Sequence, residues 1–206
     1  MTHDLPIRCR CGALQGMAMG LSPRLVNRAV CYCDDCQIFA HFLGRAEQVL
    51  DEHGGTEVYQ MSPKHLELTS GVEHLACVRL KPKGLYRWYA DCCNTPLANA
   101  IGGGFAFVGV IRPSLRNATD EAVGPIGSRV FGRYARGDVT RLGAHDGAPL
   151  YLLFPILGKL LIRRLRGDHR HSPLFDPATG KARVPPKVLT PEELSEVERT
   201  RRRGQV

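Results

Sequence analysis

A chain of 206 residues with 43% hydrophobic and 23% charged side chains is long enough to bury one sizeable core and too short for two ordinary full-size domains. That composition also excludes wholesale disorder and a membrane-dominated protein. The formal charge of +8 is uneven: residues 159–206 hold twelve Lys/Arg against six Asp/Glu, without the interleaved aromatics of a nucleic-acid stacking surface, so a solvated tail is expected and nucleic-acid binding is not.

The segment from Met1 to Cys9 has no apolar core ahead of a small-residue cleavage site, so no secretory signal is expected. The longest apolar run, Ala148 to Leu157, is interrupted by Pro149 and Pro155, where a membrane-spanning helix needs about 20 apolar residues. A cytoplasmic protein without a membrane span is the expectation. In such a reducing compartment, eight closely spaced cysteines point to metal binding or redox chemistry rather than disulfides.

Cys9-Arg10-Cys11-Gly12 sets two thiols two residues apart, on one face of an extended backbone, with a glycine that allows a tight turn. Two thiols do not complete a four-ligand structural zinc, so partners must come from elsewhere, and Cys92 and Cys93 are the natural donors. Cys31-Tyr32-Cys33-Asp34-Asp35-Cys36 supplies three thiols within six residues. Three ligands leave one position for water or a substrate, or for His41, the nearest imidazole, five residues on.

Gly54-Gly55 marks a loop, and strands are expected at Leu66–Thr69, Leu75–Leu80, Leu85–Ala90 and Phe105–Ile111. Lys81-Pro82-Lys83-Gly84 has the chemistry of a hairpin turn between the second and third. Cys77, inside an apolar strand, reads as core. Gly102-Gly103-Gly104 lacks the following Lys-Ser/Thr signature of a phosphate cradle and reads as a turn.

These patterns divide the chain into a zinc-binding β domain over residues 1–113 and a C-terminal extension over 114–206. In the extension, Ile156, Leu157, Leu160, Leu161 and Leu165 recur at helical spacing, with Lys159, Arg163, Arg164 and Arg166 toward the end. Such an amphipathic helix is expected to pack on its own domain, the alternatives being a membrane surface or a partner subunit. Ser172 to Pro186 reads as an extended arm whose Leu174 and Phe175 dock. Thr190-Pro191-Glu192-Glu193 is a capping box that opens a last helix running toward Arg201–Arg203.

The combination of Cys9-x-Cys11-Gly12, Cys31-x-Cys33-x-x-Cys36 and Cys93-Asn94-Thr95-Pro96-Leu97 resembles the superfamily of glutathione-dependent formaldehyde-activating enzyme and centromere protein V, over about residues 7–111. The resemblance implies a mainly β fold with accessory helices, a β-tent of small antiparallel sheets around two zinc sites. It also implies that Cys9, Cys11 and Cys93 belong to a structural zinc and that Cys31, Cys33 and Cys36 form the catalytic site, where the metal-thiolate centre handles a glutathione–formaldehyde adduct. The family's second structural pair is a Cys-x-x-Cys-Gly knuckle. Here Ala90 and Asn94 stand at its first and last positions, so either Cys92 substitutes, which requires a bend in the backbone, or the structural site is rearranged or lost. Gln37 stands where a basic residue commonly follows the third catalytic-site cysteine.

Three readings of function follow: a carbon–sulfur lyase acting on a small thiol adduct, a non-catalytic zinc module for protein contacts, and a thiol redox sensor in which Cys36 pairs with Cys33 or Cys31.

Overall fold

The structure, a computed structural model, describes residues 1–203. Strands β1 (His3–Arg8) and β2 (Gln15–Leu21) lead to β3 (Asn27–Cys31), helix α1 (Asp34–Phe42) and the short helix α2 (Ala46–Val49). Then follow β4 (Thr56–Met61), β5 (Leu66–Ser70), β6 (Leu75–Arg79), β7 (Tyr86–Ala90), β8 (Thr95–Ala100) and β9 (Val108–Ile111). Beyond these lie α3 (Asp120–Val123), β10 (Ser128–Val130), α4 (Leu150–Leu165), β11 (Lys187–Val188) and α5 (Pro191–Arg203).

The result is mainly β, as expected, with two sheets and a few helices. A three-stranded antiparallel sheet has the order β1-β2-β5, and an eight-stranded sheet the order β10-β3-β4-β9-β8-β7-β6-β11. The two outermost strands of the large sheet pair in parallel, β10 with β3 and β11 with β6, while the inner pairs are antiparallel. Both edge strands come from the segment after residue 114, which therefore covers backbone donors and acceptors that an open sheet would leave exposed.

One apolar cluster joins Leu5, Ile7, Ala18 and Leu21 of the small sheet to Trp88, Ala98 and Val108 of the large one. A second joins Ile38 and Phe39 of α1 to Val78, Leu80, Ile111 and Leu189, with Leu194 and Val197 of α5 packed against it. Cys77 is buried in β6, where burial pushes its thiol up to about 12. The β6–β7 hairpin turns at Lys81–Gly84, closed by Gly84 N–H on the Lys81 carbonyl at 2.9 Å.

Leu174 and Phe175 do dock: both are buried, and the Phe175 ring sits edge-on to Tyr86 at 5.2 Å and to Trp88 at 5.6 Å. The capping box of α5 is reciprocal, with Thr190 Oγ1 accepting from Glu193 N–H at 3.2 Å and Glu193 Oε2 accepting from Thr190 N–H at 3.0 Å. Three details differ from the sequence reading. The strand expected from Phe105 begins only at Val108, because the triple-glycine loop runs on through Phe105, whose N–H bonds to the Gly102 carbonyl at 3.1 Å. Helix α1, unforeseen, begins inside the Cys31–Cys36 motif, at Asp34. Helix α4 packs by one side only and leaves its other apolar side in solvent. No described helix is long and apolar enough to cross a membrane.

Candidate metal centres

The first cysteine pair does not lie on extended strand. Strand β1 ends at Arg8, and Cys9–Gly12 forms a turn closed by Gly12 N–H on the Cys9 carbonyl at 3.2 Å, with Gly12 at φ +83°. That left-handed φ is what suits the position to glycine, since the nearest atoms a side chain would meet belong to the movable end of Arg8. The second pair sits in the turn between β7 and β8. That turn supplies the bend that Cys92 needs, and Asn94 takes the left-handed conformation at φ +53°, one that asparagine tolerates better than most side chains.

The four sulfurs converge from these two turns. Cys9 Sγ lies 3.5 Å from Cys11 Sγ and 3.9 Å from Cys92 Sγ, Cys11 to Cys92 is 3.3 Å, and Cys92 to Cys93 is 3.8 Å. An ion held tetrahedrally by sulfurs at about 2.3 Å sets them about 3.8 Å apart, so the donor set fits a closed four-thiolate metal. The shell around it is built for sulfur anions. Leu14 N–H donates to Cys9 Sγ at 3.3 Å, and the Thr95 hydroxyl lies 3.0 Å from Cys93 Sγ. Burial opposes ionisation of Cys93, but that hydroxyl and the backbone and thiol of Cys11 hold it down to about 6. Arg45 fixes the second turn by donating Nε and Nη2 to the Cys93 carbonyl at 3.2 and 2.9 Å.

The second group forms where β3 passes into α1. Cys31 ends the strand, Cys33 is the N-cap residue of the helix, and Cys36 lies in its first turn, with its N–H on the Cys33 carbonyl at 3.0 Å. The three sulfurs all lie within 4.8 Å of one another, and no fourth metal-ligating side chain joins them among the described residues. His41 does not. It lies five residues beyond Cys36, about one and a half turns further along α1, beside Phe42, Glu193 and Val197, and its buried Nε2 has no hydrogen-bond partner. Burial, with Arg136 and Arg201 nearby, holds its pKa below the usual imidazole value.

The open side of the three sulfurs faces a cleft of about 470 Å³ whose walls include Lys81, Arg87, Asn99, Phe107, Arg133 and Tyr134. Arg87 is the feature the sequence reading missed. Its side chain is almost wholly buried, with Nη1 3.9 Å from Cys36 Sγ and 3.3 Å from Asn99 Oδ1, Nη2 3.8 Å from Asp35 Oδ2, and the guanidinium over the Phe39 ring. The signal was available: an arginine flanked by Tyr86, Trp88 and Tyr89 in an apolar strand must be buried with a partner for its charge. Hydrogen bonds from Cys31 and Cys33, with Arg87 alongside, hold Cys36 well below the ordinary thiol value against its complete burial, and the bonds to Cys33 and Cys36 push Cys31 up. Gln37, next to Cys36, points inward, where its Nε2 donates to the Tyr32 carbonyl at 2.8 Å and the Tyr134 carbonyl at 2.9 Å and so ties the cleft wall to α1.

Both expected cysteine groups are thus assembled, and each can hold a metal ion. Among solved structures, a crystal structure of a Rhodobacter sphaeroides protein is similar at 15% identity and a TM-score of 0.38, covering 55% of this chain and 90% of that one. No curated protein matches. The sequence profile of a family of unknown function, DUF6151, matches residues 1–184, and the chain belongs to that family.

Proposed function

We propose that the chain is a zinc-thiolate enzyme of the formaldehyde-activating type, acting on a small thiol adduct in the manner of a carbon–sulfur lyase. The observation that supports this is the convergence of Cys31, Cys33 and Cys36 at a cleft, with no fourth protein ligand among the described residues. Thiolate donors select soft or borderline ions such as zinc. A zinc held there would supply an open position at which a substrate sulfur or carbonyl oxygen is polarised. Three thiolates outweigh the charge of a divalent ion, which favours sulfur chemistry over activation of water.

The chain's own residues divide the remaining tasks. Arg87 offsets the excess negative charge at Cys36. Lys81 and Arg133 line the cleft as cations suited to the carboxylates of a thiol such as glutathione, and Phe107 and Tyr134 cover its apolar side. In the addition, the thiol sulfur bonds to the carbonyl carbon of formaldehyde, the carbon–oxygen π bond opens, and the sulfur's proton ends on oxygen. The reverse reaction breaks the same carbon–sulfur bond.

The non-catalytic module reading needs the three-cysteine site closed by a protein ligand, and the placement of His41 weakens it. The test is adduct formation from glutathione and formaldehyde followed against the uncatalysed rate, with calorimetry of glutathione binding. Acceleration lost in Cys33→Ser is expected. No acceleration and no binding would remove the lyase reading, and reversible metal loss on mild peroxide with a Cys33–Cys36 disulfide would replace it with the redox sensor.

A further inference from the structure

Of the fourteen large hydrophobic side chains that are exposed among the described residues, seven lie on α4. Leu150, Phe154, Leu157, Leu161 and Leu165 recur at spacings of four, three, four and four, which places them on one face, and Tyr151 and Ile162 flank them. All seven are between 51% and 80% exposed. The stripe runs the length of a sixteen-residue helix, about 24 Å at the usual rise. Scattered surface leucines need no explanation, but a continuous stripe of this size marks an interaction surface.

The helix is held to the fold by its opposite side. Ile156, Leu160 and Arg163 border a crevice with Leu25 and Phe107, and Arg163 donates Nη2 to the Leu25 carbonyl at 3.1 Å. Arg164 donates to the carbonyl of Gly104, which brings the loop carrying the exposed Phe105 against the helix. The apolar stripe is therefore presented outward by a helix anchored at its back.

We propose that α4 is a surface-lying membrane helix whose apolar stripe enters the headgroup boundary of an anionic bilayer. Charge selects this occupant. The helix carries no Asp or Glu, while Arg164 at the margin of the stripe and Arg166 just beyond the helix are exposed, and Lys159 and Arg163 lie on the opposite side, along the crevice. An apolar face on a helix whose only charges are basic is the pattern by which such helices bind anionic lipid, where hydrophobic insertion and electrostatic attraction add. Two copies of this chain meeting through α4 would find no acidic residue on either helix to pair with its cations. The helix is too short to span, so it lies on the surface. Phe107 and Gln60 border both the crevice behind α4 and the three-cysteine cleft, so docking would hold that cleft close to the lipid surface.

The test is co-sedimentation of the full chain with vesicles of equal parts phosphatidylcholine and phosphatidylglycerol, against vesicles of phosphatidylcholine alone. Binding to the mixed vesicles at least about tenfold tighter than to the neutral ones, and weakening with salt, is expected. The double variant Leu157→Glu/Leu161→Glu, altered only at exposed positions, should lose that binding while keeping its metal content and melting temperature. Failure of the full chain to bind the mixed vesicles, or equal binding by the folded double variant, would overturn the proposal. A dimer in light scattering that the double variant dissociates, without vesicle binding, would assign the stripe to a second copy and overturn it equally.

Discussion

Arg87 reaches from β7 to within 3.9 Å of Cys36 on α1, so the sulfur buried deepest in the three-cysteine group has a guanidinium as its neighbour. Charge compensation of this kind tunes a metal site from outside its ligands, and removing it typically costs 10- to 100-fold in affinity, by order of magnitude. Arg87→Met should therefore weaken metal binding at Cys31, Cys33 and Cys36 by about tenfold or more in a chelator competition, while the four-cysteine metal is retained. Arg87→Lys should fall between, since it keeps the charge and loses the planar fork.

The two cysteine groups should respond differently to loss of a ligand. The four-cysteine cluster joins the turn after β1 to the turn before β8, and a structural zinc contributes folding energy outright. Cys9→Ser, Cys11→Ser and Cys92→Ser should each lower the melting temperature markedly, with Cys92→Ser as damaging as the others. Cys33→Ser should leave melting nearly unchanged and abolish activity. Equal melting across all four variants would contradict the division between a structural and a reactive site.

Asn94 is the residue that lets Cys92 and Cys93 share one turn. Its φ of +53° costs a side-chain-bearing residue about 1–2 kcal/mol, less for asparagine than for alanine or valine. Asn94→Gly should be neutral or mildly stabilising in a denaturant titration, and Asn94→Val should cost about 1 kcal/mol or more and loosen the metal.

Gln37 gives a test of the cleft wall. Gln37→Ala removes the donor to the Tyr32 and Tyr134 carbonyls, and leaving the buried Tyr32 carbonyl unsatisfied costs about 1–3 kcal/mol. Faster amide exchange around Phe131–Tyr134 is expected, with the exchange of the β7–β8 core unchanged.

Much of this was legible in the sequence for local reasons. The hairpin at Lys81–Gly84, the capping box at Thr190–Glu193 and the turn glycine at Gly12 are each decided by residues within a few positions of one another. The cysteine groups were legible because thiols at such spacings have few other uses. What escaped depended on distant partners: β10 and β11 are two or three residues long and exist only by pairing with β3 and β6. Helix α1 could have been read from Ile38, Phe39 and Phe42 after Asp34-Asp35, but the cysteine spacing invites an extended reading of the same residues. The exposed side of α4 could not be read at all, since the same periodicity serves a helix packed on its own domain.

Metal content of the purified full chain is the most direct measurement of the central claim, that sulfurs from distant turns share metal ions. About two zinc per chain are expected, falling to about one in Cys33→Ser, with all eight thiols free of disulfides. Protein that folds with no stoichiometric metal, or that yields disulfides within the two cysteine groups instead, would contradict it.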